Sequence, residues 1–309
     1  MNDSAQFPQE QNEDGSFNRQ KDAFTQWVKA DGSSAFTPDS NRYHLYVSYA
    51  CPWAHRIIIA RALLGLNKAI GMTVVDPIRN DHDGWAFRHG EGYSEDSING
   101  FKLLKEAYLA TDPYYNQRIT VPVLWDKKTN QIVSNNDDDL LRMLPMEFKA
   151  LAETPLNLYP KNLKDEIDSW NEEIYQKVNN GVYRSGFATT QEAYEQAVYP
   201  LFETLDKLDI KLVDRTYLFG SEMTETDIRL FVTLIRFDAV YVGHFKCNLK
   251  RMVDYPNLFL FTKNMANHPK IAPTINMDHI KRHYYYTHDD INPTKIVPAG
   301  PDLTDYFTD

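Results

Sequence analysis

Cys51-Pro52-Trp53-Ala54-His55-Arg56 joins a short alternating run, Tyr43 to Ser48 (YHLYVS), to an apolar helical pattern, IIIARALLGL. GMTVVD at 71–76 reads as a second strand after the helical pattern of 52–66, completing a β-α-β unit. After a long polar stretch, Arg79 to Asn116, residues 119–125 and 131–134 read as two strands around a polar turn, a hairpin. Pro122 lies inside the first of these and cannot serve a central ladder, so it marks an edge or a cis bend. Asn135 to Asp139 then gives a capping residue and an acidic first turn to a short helix. The order β-α-β, then β-β-α, is the thioredoxin-like layout.

The junction also carries chemistry. Unsatisfied N–H groups and the positive dipole end at a helix start favour a thiolate, and Pro52 suits the first helical position, which needs no N–H donor. Ala54 stands where a second cysteine would make an internal disulfide, so the site suits a mixed disulfide with a small thiol. A single cysteine is by itself equally compatible with inert packing.

Beyond the prolines of 145–160, read as a linker, helical patterns dominate at about 161–180, 190–208, 224–242 and 256–267. Thr224-Glu225-Thr226-Asp227 has the form of a capping box. The polar residues 1–40 read as a tail or surface strap anchored by Phe24 and Trp27, and 284–309 as an extended tail. The expected organisation is an extension (1–40), a thioredoxin-like thiol-binding domain (41–148), an all-helical domain (155–270) and a C-terminal extension (271–309) that contributes to the substrate site.

A net charge of −10 argues against a nucleic-acid groove. No run is long enough for a membrane span, so no membrane partner is expected. Two cysteines in 309 residues and no apolar leader within the first thirty point to a reducing cytoplasm. Cys51 and His55, and His279 and His283, are each four apart on a helix face, but no further ligand pair has suitable spacing, and no metal is expected. Cys247, in HFKCNL, has no activating neighbourhood.

A thioredoxin-like half followed by a helical half resembles the glutathione transferases. CPWAHR, GWAF (84–87), RITVPVLWD (118–126), NNGVYRSGFA (179–188), TDIRLFVTLIRFD (226–238) and HYYYTHDDINPTKIVPAGP (283–301) narrow the likeness to the xi class, the glutathionyl-hydroquinone reductases. These blocks span residues 43 to 301 in the family's order.

The resemblance implies that Cys51 attacks the glutathione sulfur of a glutathionyl-hydroquinone, releases the hydroquinone, and is resolved by a second glutathione. The aromatic carbon must gain a proton, and tyrosines suit that task. The resemblance assigns it to Tyr183 and a tyrosine of the 284–286 run, Tyr285 in first place and Tyr284 in second. It also implies that glutathione, the cosubstrate, lies along Trp85, Arg118 and Ile119, with Pro122 as the cis proline that leaves the backbone of Val121 open to the peptide. A homodimer is implied too.

One position departs from the family. Where the family carries Glu-Ser at the next helix start to hold the γ-glutamyl carboxylate, this chain has Asn136-Asp137. Either Asp137 faces the γ-glutamyl ammonium while Asn136 donates to the carboxylate, or the thiol differs from glutathione or binds weakly. Two further functions remain open from sequence: a broader cysteine-type thioltransferase or dehydroascorbate reductase, and a non-catalytic binding protein on the same fold.

Overall fold

A computed structural model describes residues 8–80 and 82–307. Chain contacts divide it into two units. One comprises Lys21–Leu158 with Pro273–His283; the other comprises the residues up to Gln20, Tyr159–Ala272 and those from Tyr284 on. The two extensions expected at the termini are therefore each shared between units. Among the described residues no helix is long and apolar enough to cross a membrane.

The first unit is thioredoxin-like. Its elements are β1 (Tyr43–Val47), α1 (Pro52–Leu63), β2 (Gly71–Val74), α2 (Lys105–Thr111), β3 (Val123–Asp126), β4 (Gln131–Ser134) and α3 (Asp137–Glu147). The sheet order is β2-β1-β3-β4, with β1 parallel to β2 and the other pairs antiparallel. Every residue of β1 is buried, as a strand covered on both faces requires. The segment after Lys21 runs along β4: Gln26 N–H donates to the Val133 carbonyl at 3.1 Å and Asn135 N–H to that of Phe24 at 3.0 Å. A strap thereby blocks a sheet edge that would otherwise invite pairing.

The long polar stretch, too long for a plain connection, holds α2 as structure of its own. Two elements differ from the sequence reading. The first hairpin strand starts at Val123, because cis Pro122 has no N–H for a ladder. Helix α3 continues through Pro145 to Glu147. Set in the last turn, that proline forfeits one backbone bond without ending the helix.

The helical unit contains α4 (Lys164–Ile174), α5 (Gly181–Gly186), α6 (Gln191–Lys211), α7 (Glu225–Arg236) and α8 (Pro256–Ala266). Two π-helical turns, Tyr175–Asn179 and Phe237–Tyr241, prolong α4 and α7. The capping box at Thr224 is formed: its N–H and hydroxyl both lie 2.8 Å from the Asp227 carboxylate. Such a cap contributes about 1 kcal/mol. A further helix, α9 (Met277–Thr287), replaces the start of the expected extended tail; its first seven residues belong to the thioredoxin-like unit and its last four to the helical unit.

Candidate active site

In the thioredoxin-like unit, Cys51 is the N-cap of α1, in extended backbone (φ −76°, ψ 121°), and Pro52 opens the helix. The thiol is partly exposed and donates to the Val121 carbonyl at 3.6 Å. Val121 precedes cis Pro122, and its own N–H has no partner among the described residues. A thiol thus faces a backbone residue with an open donor, which is what a small peptide needs to pair with the chain while its sulfur reaches Cys51. Arg118 and Ile119 occupy the coil leading into Val121, held by the Tyr115 hydroxyl, which donates to the Arg118 carbonyl at 2.8 Å.

Trp85 is 5% exposed, and its ring stacks on His283 at 5.0 Å and 18°. His283 is fixed in turn by its Nδ1, 2.8 Å from the Pro77 carbonyl. Since Nδ1 must donate there, the tautomer is set.

The departure at Asn136-Asp137 has a structural counterpart. Asn136 caps α3, its Oδ1 accepting from Asp139 N–H at 2.7 Å, while its Nδ2 donates to Asp22 of the strap at 2.9 Å. Asp137 lies 2.6 Å from Nη1 of Arg56, which also holds Asp138 at 3.1 Å. Arg56 is fully buried in α1 with its guanidinium 4.6 Å from the Trp53 ring centre. A buried guanidinium requires paired carboxylates, and Asp137 and Asp138 supply them. Asp22 was not legible from sequence, since a lone acid in a polar segment carries no signal.

The helical unit holds a cluster of phenols. Tyr183, on α5, and Tyr284, on α9, are 8% and 1% exposed, with hydroxyl oxygens 2.5 Å apart. Tyr241, at the end of the second π-helical turn, closes on Tyr284 at 2.9 Å. Burial pushes the phenols of Tyr241 and Tyr284 well above their ordinary range, so both are proton carriers at neutral pH.

Tyr285, first choice from sequence, lies elsewhere: its hydroxyl donates to the Ala239 carbonyl at 3.2 Å and its ring packs on His244 at 4.7 Å. Adjacent helical residues diverge by about 100°, so 284 and 285 cannot both face Tyr183. It is Tyr284 that meets Tyr183. Tyr241 was missed because only the π-helical turn brings it round to the cluster.

The other sequence candidates occupy structural roles. His55 bonds the Thr274 hydroxyl at 2.9 Å, and His279 bonds the Glu91 carbonyl at 2.8 Å. Burial pushes the Cys247 thiol up to about 12, leaving it unreactive. Among the described residues no three of His, Cys, Asp and Glu gather as a metal site.

Residues 50–145 match the glutathione S-transferase N-terminal domain family, and residues 191–263 the glutathione S-transferase C-terminal domain family. Glutathionyl-hydroquinone reductase PcpF of Sphingobium chlorophenolicum is 50% identical over 268 residues, 87% of this chain and 85% of that protein. The crystal structure of the glutathione-S-transferase Xi from Phanerochaete chrysosporium superposes with a TM-score of 0.92 at 48% identity, covering 96% of this chain and 95% of that one. The glutathione-bound structure of YqjG, a glutathione transferase homolog from Escherichia coli K-12, gives 0.88 at 46% identity, covering 91% and 93%. With a cysteine at a thioredoxin-like helix start and tyrosines gathered in a helical unit, the chain belongs to the xi class of the glutathione transferase family, the glutathionyl-hydroquinone reductases.

Proposed function

We propose that this protein reduces glutathionyl-hydroquinones to hydroquinones at the expense of glutathione, through a mixed disulfide on Cys51. The observation that carries the reading is the Cys51 thiol set at a helix start against Val121, whose N–H is open to a peptide, in a chain half-identical to a protein named for this reaction. The glutathione-bound homolog supports glutathione as the thiol.

The steps balance. The conjugate's cysteinyl backbone pairs with Val121, and Trp85, Arg118 and Ile119 line the tripeptide. Tyr183 and Tyr284 hold the hydroquinone hydroxyls, and one phenol delivers a proton to the ring carbon bearing sulfur. Cys51 thiolate attacks that sulfur; the carbon–sulfur bond breaks, its electron pair passes to the ring, and hydroquinone leaves. A second glutathione thiolate attacks the mixed disulfide, yielding oxidised glutathione and restoring the Cys51 thiolate. A homodimer in a reducing cytoplasm is part of the same reading.

The test is turnover of glutathionyl-menadiol with glutathione, beside hydroxyethyl disulfide and dehydroascorbate, for the native protein and Cys51→Ser. Conjugate reduction lost in the variant supports the proposal. Turnover of the small disulfide or dehydroascorbate without conjugate reduction would mean a general thioltransferase, and no turnover at all a binding protein.

A further inference from the structure

The first described residues of the chain are polar, yet in the helical unit they form a fixed strap. Thr189 N–H donates to the Gly15 carbonyl at 3.1 Å, Thr190 Oγ1 to that of Asp14 at 3.0 Å, and Gln20 N–H to the Glu10 carboxylate at 2.9 Å. Gly15 has φ +83°, and a Cβ there would stand 2.7 Å from Thr190 Cγ2, so the turn requires glycine. Phe17 is buried and packs on Phe187 at 5.3 Å.

Two residues on, the strap sets Arg19 over the face of Tyr183. The guanidinium carbon is 4.9 Å from the ring centre, and Nε donates to Asn180 Oδ1 at 3.3 Å. Asn180 begins the helix that carries Tyr183, so cation and phenol share one support. A guanidinium over a phenol ring is attracted to the electron-rich face, and the attraction grows as the oxygen takes on negative charge.

We propose that Arg19 is the counter-cation of the tyrosine cluster, a positioning residue that acts through Tyr183 to stabilise negative charge on its oxygen as the proton is delivered. The inference rests on the reading of Tyr183 as a phenol that handles the conjugate. Charged or titratable groups facing the cluster among the described residues include Tyr284 and His288 from the C-terminal residues, Tyr241 and His244 following α7, and Arg236 of α7 itself. Arg236 is buried, with one guanidinium nitrogen donating to the Val232 carbonyl. Arg19 stacks directly on the Tyr183 ring, and Arg236 favours the charged forms of Tyr241 and Tyr284 from α7.

The experiment compares native protein, Arg19→Gln and Arg19→Lys, each also prepared with 3-fluorotyrosine at 183. For conjugate reduction the Gln variant should lose about 3- to 30-fold in kcat, the range of a cation–π contact. Its basic limb should move to higher pH and its KM for glutathione should change little, while Lys recovers part of the rate. The loss should be larger on the conjugate than on hydroxyethyl disulfide, whose reduction needs no phenol.

The fluorine resonance reads ionisation of residue 183 without turnover, and its midpoint should rise in the Gln variant. Asn180→Ala, which loosens the guanidinium without removing it, should give a smaller rise. An unchanged midpoint in Arg19→Gln overturns the inference whatever the turnover. A native protein that reduces no conjugate would instead sink the functional reading, and the fluorine titration would still decide the role of Arg19.

Discussion

The thioredoxin-like and helical units solve the same problem, presenting polar chemistry from a packed interior, in opposite ways. In the first, the reactive group stands at an element end: Cys51 caps α1, and the residue opposite, Val121, lies in coil with its N–H open. Helix starts and strand ends have spare backbone donors, so the main chain does much of the recognition. In the helical unit the backbone groups are consumed by helix bonds, and polarity must come from side chains. There, three phenols bond each other in the interior, with the Arg19 guanidinium over the ring of Tyr183. The first arrangement suits binding one peptide backbone; the second suits moving a proton.

The sharpest way to break this contrast is to exchange neighbouring tyrosines. Tyr284→Phe removes the phenol that links Tyr183 and Tyr241 and so takes away the hydrogen-bond partner of the proton-delivering Tyr183; kcat for conjugate reduction should fall about 100-fold, the scale of disabled general-acid catalysis. Tyr285→Phe, whose hydroxyl donates to the Ala239 carbonyl instead of joining the cluster, should stay within about threefold. Steady-state turnover of glutathionyl-menadiol by both variants decides it. If Tyr285→Phe proves the more damaging, the cluster is packing and the proton donor lies elsewhere.

Acid should reveal something the two units share. Burial lowers His44, in β1, and His244, after α7, to about 4 from 6.5. A histidine whose folded value is depressed favours the neutral form, so its contribution is complete above pH 6.5 and is lost as pH falls toward 4. Each should cost about 2 kcal/mol at pH 5 relative to pH 7. Urea unfolding at the two pH values, with His44→Gln and His244→Gln, measures this. Each variant should shrink the pH difference by about that amount, and an unchanged difference would place the acid sensitivity in other groups.

The same contrast explains what could be read from sequence. Cys51-Pro52, Pro122 and the Asn136 cap each occupy a short window whose local geometry decides their role, so β1, α1 and the capped start of α3 were legible. The capping box at Thr224 was legible for the same reason. The phenol cluster assembles from residues 101 and 43 positions apart, and no local pattern records that. The resemblance pointed to the 284–286 run, but only the phase of α9 separates Tyr284 from Tyr285. Tyr241 depends on a π-helical turn, which shifts side-chain phase without a sequence marker. Arg19 and Asp22 sit in a segment whose polarity reads as solvation. Their roles come from tertiary placement, which propensity does not encode.

The smallest predicted effect tests the departure at the start of α3. Arg56 is fully buried and pairs with both Asp137 and Asp138, so the extra carboxylate serves the protein interior. Its charge nonetheless stands at a helix N-terminus, where donors favour an anion. Asp137→Ser should therefore lower KM for glutathione about threefold with kcat unchanged. It should also cost about 1 kcal/mol of stability, because Arg56 keeps Asp138 as one partner. The comparison thiol is glutathione whose γ-glutamyl ammonium is acetylated. For that analogue the gain from Asp137→Ser should be at least as large, since neither protein draws on the ammonium. If KM for glutathione instead rises in the variant while the acetylated thiol is unaffected, Asp137 grips the ammonium directly. The thioredoxin-like unit would then recognise its peptide through side-chain charge as well as backbone, narrowing the contrast with the helical unit.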